Sequence, residues 1–196
     1  MDGVCPDDDY RGVQTLAVSY ARNATSGPLA RADTSGGVGI FGHSMGGKAT
    51  LGNSVAEIAS AHGLKAAVML HAWTPTVPWV PGIPFLAFTG SNDTTAPDHY
   101  TERWYDKATN VTQRGLVDNW SGHHEPDNWD GWKEHDQYNP KLPQFVVAWF
   151  KLHLDGVTAS GGVDWRGLIY GTDPAASLCA GGDGPMHRCE VHGAPY

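Results

Sequence analysis

The chain has 196 residues, of which 40% are hydrophobic and 10% aromatic, enough for one globular domain with a sizeable core. Its 13 Lys and Arg against 21 Asp and Glu give a formal net charge of −8, which argues against nucleic acid or an anionic membrane surface as a partner. No apolar run approaches the roughly 20 residues that span a bilayer, and the acidic N-terminus resembles no signal peptide.

Hydrophobic spacing predicts most elements of the first 120 residues. A helix is expected over residues 10–24, and a short buried strand over residues 38–41. The Ala-rich run 45–62 has apolar residues at helical spacing and predicts one helix that ends at Gly63. The remaining predictions in this part are strands over 64–70, 85–89 and 114–117 and a helix over 98–108.

The later part of the sequence divides into a polar loop, an apolar helix and a Gly-rich end. We expect the loop over residues 122–143, the helix over 143–154, and a loose tail after Gly156. Strands that alternate with helices predict parallel β-α-β units, with right-handed crossovers that place helices on both faces of the sheet. The sequence therefore predicts an α/β domain over residues 1–155, with about four mostly parallel strands, and a tail over residues 156–196.

A glycine-crowded turn around Ser44 carries the strongest chemical signal. Residues 42–46 read G-H-S-M-G, which fits G-x-S-x-G, a strained strand-to-helix turn that exposes a nucleophilic serine. Residues 42–48 also fit the phosphate-binding pattern G-x-x-x-x-G-K. That loop needs Ser or Thr after its lysine, and Ala49 stands there instead. The nucleophile is the favoured interpretation, and a tight turn without chemistry is the simplest alternative.

Candidate partners for Ser44 follow the later strands. Because the carboxyl ends of parallel strands meet at one sheet edge, Asp93 and the pair His123 and His124 are expected near the serine. In this arrangement an imidazole takes the proton of the serine, and a carboxylate fixes the imidazole tautomer and stabilises its cation. The order Ser, Asp, His is the one that α/β-hydrolases use. Weaker candidates for the acid are Asp98 and Asp118.

The polar loop also contains a cluster of metal-ligating residue types. It has no H-E-x-x-H pattern, and no spacing puts two histidines on one helical face. We therefore predict a solvated loop and no metal site. The cluster comprises His123, His124, Glu125, Asp127, Asp130, Glu134, His135 and Asp136.

Cysteines and glycosylation sequons favour an oxidising compartment. Cys179 and Cys189 lie in one short segment and predict a local disulfide, which leaves Cys5 over. Four of the seven asparagines lie in N-x-S/T sequons, namely Asn23, Asn92, Asn110 and Asn119. These features predict a secreted or extracellular protein.

Several motifs in order resemble those of a known group. G-H-S-M-G-G, H-A-W-T-P, F-T-G-S-N-D-T-T-A-P and S-G-H-H-E-P together resemble the serine hydrolases of the dienelactone hydrolase, cutinase and polyester-hydrolase branch of the α/β-hydrolase superfamily. The resemblance implies a carboxylic-ester hydrolase that works through an acyl-enzyme without a cofactor, on esters of the polyester or cutin type. It selects His123, because Pro126 follows three positions later.

The same resemblance assigns two further roles near Ser44, and His43 is a separate candidate for substrate contact. Trp73 would line the acyl-binding cleft. The backbone N–H of Met45 would supply one oxyanion donor.

One departure from this group concerns the start of the chain. Its members have some four strands before the nucleophile strand, whereas here one helix and no strand precede Val38. We therefore expect the C-terminal half of an α/β-hydrolase fold. An exposed first strand favours self-association through its edge. A catalytically silent fragment or binding module is the alternative function.

Overall fold

A computed structural model describes residues 7–76, 78–90, 93–118, 142–180 and 188–194. Statements about structure below concern these residues. Among them, no helix combines the length and the apolar character needed to cross a bilayer.

The first half of the chain alternates helices with strands, as predicted. Its elements are α1 (Asp7–Asn23), a short 3-10 helix (Pro28–Arg31), β1 (Val38–His43), α2 (Met45–Asn53), α3 (Ala56–His62), β2 (Leu64–Leu70), β3 (Phe85–Thr89), α4 (Asp98–Tyr105) and β4 (Arg114–Asp118). Gly63 ends α3 in the left-handed region with φ 64°, which confirms its role as a helix stop.

The prediction of one helix over residues 45–62 is wrong. Ser54 closes α2, since its backbone N–H donates to the Thr50 and Leu51 carbonyls, and Val55 then takes an extended conformation (φ −59°, ψ 138°). The chain restarts as α3 one residue later. Apolar spacing runs across this break, so the periodicity could not reveal it.

The second half adds one long helix and an unpredicted set of short elements. These are α5 (Leu142–His153), β5 (Ala159–Ser160), β6 (Val163–Asp164), α6 (Trp165–Tyr170) and β7 (Cys189–His192). The segment expected as a loose tail thus contributes regular structure. A disulfide joins Cys179 to Cys189, which confirms the predicted pair.

The main sheet has five strands in the order β1-β2-β3-β4-β7. The first four run parallel, and β7 pairs antiparallel with β4. This topology confirms the α/β class and the mostly parallel sheet. The antiparallel fifth strand was not predicted.

Helices cover both faces of the sheet, as expected. On one face, side chains of α1 to α4 such as Leu51 and Trp104 pack with the strands in one hydrophobic cluster. On the other face, Trp149 of α5 and Ile169 of α6 pack against Val68 of β2 in a second cluster. Ile169 lies beyond residue 155, so the C-terminal segment contributes to this core. The division of the chain at residue 155 stays a prediction.

The strand register aligns the carboxyl ends of the parallel strands. His43 pairs with Leu70, Leu70 with Phe88, and Thr89 with Asp118. Chain segments that leave these four strands therefore start from one edge of the sheet, where reactive groups of open α/β sheets collect.

Candidate active site

Ser44 occupies a strained turn between β1 and α2. Its backbone has φ 56° and ψ −118°, a region that side-chain-bearing residues rarely adopt. Such conformations persist only where surrounding contacts hold them, and they concentrate at functional sites. The turn places Ser44 at the N-cap of α2, where helix N–H groups favour negative charge.

Two glycines allow the turn to form. A Cβ at Gly42 would collide with the backbone of Gly46, and one at Gly47 would lie 2.9 Å from Cα of Ala72. A Cβ at Gly46, by contrast, would meet no atom of the described residues within 4 Å. The crowding that the G-x-S-x-G pattern implies thus applies at Gly42 and at Gly47, a position outside the pattern.

The end of β2 and the loop that follows it hydrogen-bond to the backbone N–H and C=O of Ser44. The Ser44 N–H donates to the Leu70 carbonyl at 3.0 Å, and the Trp73 N–H donates to the Ser44 carbonyl at 3.0 Å. The Lys48 N–H also donates to the Ser44 carbonyl, which closes the first turn of α2. The serine backbone is therefore held by both the helix and the neighbouring loop.

Asp93 lies buried beyond the end of β3, with 3% of its surface exposed. Its Oδ1 accepts the backbone N–H groups of Thr95 at 2.9 Å and Ala96 at 2.7 Å. Its Oδ2 lies 2.9 Å from Nδ1 of His71. A buried carboxylate that accepts two backbone N–H groups is held in a fixed orientation, which suits an acid that must orient an imidazole.

His71 is a residue of this site that the sequence analysis did not select. It follows the last residue of β2, is 2% exposed, and has φ 44°. Its ring centroid lies 6.0 Å from that of His43 at the end of β1. A signal was available, because His71 is a polar residue at the carboxyl end of a strand, the criterion that selected Asp93.

Trp73 is half-buried, and its indole packs against a lysine. Nζ of Lys48 lies 5.2 Å from the centroid of the Trp73 ring, within the range of a cation–π contact. Lys48 is itself buried. Its ammonium thus contacts the indole, which disfavours the phosphate-loop interpretation of residues 42–48.

Met45 and His43 flank the serine. Met45 is the first residue of α2, where backbone N–H groups lack acceptors within the helix and are oriented to bind an anion. His43 is the last residue of β1 and is half-buried. Both positions are compatible with the predicted oxyanion and substrate contacts, which stay predictions.

The two weaker candidates for the acid differ in environment. Asp98 begins α4, where its side chain accepts the His99 N–H at 2.6 Å and is partly exposed. Asp118 ends β4 and is buried at the same sheet edge as Asp93. The predicted imidazoles, His123 and His124, lie outside the described residues.

The metal-ligating residue types of the polar loop, residues 123–136, also lie outside the described part. Within the described ranges, no group of three or more His, Cys, Asp or Glu side chains is placed to hold a metal ion.

A parallel sheet with a serine on a strained strand-to-helix turn defines an α/β-hydrolase. Within that class, the chain belongs to the PET hydrolase-like family, whose pattern it matches over residues 7–160. The chain is 29% identical over 153 residues to a bis(hydroxyethyl) terephthalate hydrolase of Streptomyces coelicolor. The match covers 76% of this chain and 45% of that relative, so the chain spans about half the length of the curated relative it matches.

Proposed function

We propose that this chain is a carboxylic-ester hydrolase that acts through an acyl-enzyme on Ser44. The observation that carries the proposal is the strained backbone of Ser44 at the start of α2, together with the buried carboxylate of Asp93 at the same sheet edge. Membership of the PET hydrolase-like family supports esters of the polyester type as substrates. The matched relative acts on bis(hydroxyethyl) terephthalate, which makes this diester the first substrate to test.

The proposed mechanism assigns one role to each group. Oγ of Ser44 attacks the ester carbonyl while the imidazole of His123 takes its proton, and Asp93 fixes and stabilises that imidazole. The N–H of Met45 donates to the oxyanion as it forms. The imidazolium returns the proton to the leaving alcohol, and water then hydrolyses the acyl-enzyme by the same steps. These steps need no cofactor.

Trp73 and His43 are proposed to contact the substrate. The ammonium of Lys48 holds one region of the Trp73 indole, which supports a fixed orientation for the ring. A planar aromatic wall is suited to stacking against the acyl group of a terephthalate ester. His43, beside Ser44, would contact the ester near the reacting bond.

The Cys179–Cys189 disulfide supports a secreted or extracellular location.

Self-association through the first strand also stays a prediction. Among the described residues, β1 lies at one edge of the sheet, and Phe41 on it is 52% exposed. Size-exclusion chromatography with light scattering would test whether Phe41→Lys lowers the molar mass of the protein in solution, as loss of self-association through β1 would.

Active-site labelling tests the proposed function. We expect a fluorophosphonate to modify the protein once, on Ser44, and the Ser44→Ala variant to lose both this label and hydrolysis of bis(hydroxyethyl) terephthalate. Ser35→Ala, at an exposed turn, is the matched control and should keep both. A label on another serine would contradict the mechanism. A folded protein with neither label nor turnover would favour the silent fragment or binding module.

A further inference from the structure

We propose that His71 is a positioning residue that ties the acid Asp93 to the backbone around the nucleophile Ser44. The proposal rests on the proposed function and adds a residue to its machinery. Three observations carry it: the hydrogen bonds of the loop that bears His71, the coordination of the Asp93 carboxylate, and the backbone conformation of His71.

The loop that bears His71 is hydrogen-bonded to the turn of Ser44 and to β3, the strand that precedes Asp93. Its neighbours Leu70 and Trp73 hydrogen-bond to the backbone N–H and C=O of Ser44, each at 3.0 Å. The His71 N–H donates to the Phe88 carbonyl of β3 at 2.8 Å. A shift of His71 would therefore act on both the serine turn and the strand that leads to Asp93.

The side chain of His71 contacts the second oxygen of the Asp93 carboxylate. Thr95 and Ala96 donate to Oδ1, and the Nδ1 of His71 contacts Oδ2 at 2.9 Å. The proposed mechanism uses an ionised Asp93, and an ionised carboxylate only accepts, so the proposal places the proton of this contact on Nδ1 of His71. A carboxylate offers about four acceptor positions, and these three donors contact both of its oxygens.

Burial makes this contact effective. His71 and Asp93 are 2% and 3% exposed, so water competes little for either group. Hydrogen bonds to a charged group are stronger than neutral ones, and their geometry fixes the plane of the carboxylate. An acid held by donors on both oxygens cannot rotate away from its imidazole partner.

The backbone of His71 is also held in an uncommon conformation. Its φ of 44° lies in the left-handed region, which L-residues with a Cβ avoid for steric reasons. Asn tolerates this region better than most residues. Its side-chain amide can also place an N–H near the position of Nδ1 of histidine. Asn is therefore the conservative replacement, and Ala removes the donor.

Steady-state kinetics on bis(hydroxyethyl) terephthalate separates positioning from binding. We expect His71→Ala to lower kcat by about 10- to 100-fold, as small misplacements of catalytic groups do. KM should stay within about twofold, because Asp93 does not touch the substrate in the proposed mechanism. His71→Asn should recover most of the lost kcat. His99→Ala, which removes an exposed histidine of α4, should behave as the parent protein.

Three kinetic results would overturn the proposal: an unchanged kcat in His71→Ala, an equal loss in His71→Asn, or a loss confined to KM. Proton NMR of protein with ¹⁵N-labelled histidine provides a second measurement. The Nδ1–H of His71, bonded to a carboxylate, should give a strongly downfield resonance that disappears in His71→Asn, where Nδ1 is absent.

The NMR measurement remains informative if the His71→Ala variant fails to fold, because it uses only the parent protein and the His71→Asn variant. Lack of a downfield resonance assigned to His71 would refute the contact. Failure of the proposed function is distinguishable, because it would abolish fluorophosphonate labelling of the parent protein while leaving this resonance in place.

Discussion

Replacing Ser44 by glycine should stabilise the protein while removing its nucleophile. The backbone at φ 56° and ψ −118° is one that a residue with a Cβ avoids and that glycine adopts readily. Strain of this kind costs about 1–3 kcal/mol. Glycine also raises the conformational entropy of the unfolded chain, which lowers the free energy of unfolding by about 0.4–1 kcal/mol. The net expectation for Ser44→Gly is a gain of about 1 kcal/mol in the free energy of unfolding.

The matched control is Ser44→Ala, which keeps the Cβ and therefore the strain. Both variants should lose fluorophosphonate labelling, and only Ser44→Gly should unfold at a higher temperature and a higher urea concentration than the parent protein. For a chain of this size about 1 kcal/mol corresponds to roughly 2–4 °C in Tm. Urea unfolding, followed by tryptophan fluorescence, would give the free energies directly. If Ser44→Gly is no more stable than Ser44→Ala, the turn stores no strain, and the argument from backbone conformation to nucleophile is refuted.

Two further predictions concern the turn and the dependence of stability on pH. Gly42→Ala should lower the free energy of unfolding by about 1–3 kcal/mol, because the added methyl group would overpack against the backbone of Gly46. Gly46→Ala is the control, since a Cβ at this position meets no atom of the described residues within 4 Å. Its urea midpoint should be unchanged or higher, because alanine favours the helix more than glycine does. Burial lowers the pKa of His153 from 6.5 to about 4 in the folded protein. Between pH 6.5 and pH 4 this histidine is therefore protonated in the unfolded chain and neutral in the folded one. The free energy of unfolding consequently falls as the pH falls through this range. That pKa difference corresponds to about 3 kcal/mol by pH 4, and His153→Phe should remove this part of the acid sensitivity in unfolding experiments at pH 7 and pH 4. An equal loss of stability in the parent protein and the variant would show that other groups cause it.

The sequence predicted the parallel part of the fold because each strand is a compact apolar run between helical segments. The fifth strand had no such signal. Residues 189–192 read C-E-V-H, and they form a strand because β4 offers an edge for pairing. A contact between segments so far apart in the chain has no trace in local periodicity.

The candidate site was predictable to the extent that it follows strand ends. Ser44 was selected by the G-x-S-x-G pattern and Asp93 by its place after a strand, and His71 satisfies the second rule as well. What the sequence could not supply is the hydrogen bond between His71 and Asp93, since it depends on the register of β2 against β3. The burial of Lys48 against Trp73 likewise depends on tertiary packing.

The pairing of β4 with β7 has a consequence for folding during synthesis. Val117 pairs with Cys189, so the two strands are about 70 residues apart in the chain. At the usual rate of about 5–20 residues per second, the edge of β4 waits roughly 4–14 s for its partner to be translated. An open strand edge in that interval can recruit another nascent chain. Pairing of β7 with β4, followed by oxidation of Cys179 and Cys189, would then be the step that closes this edge.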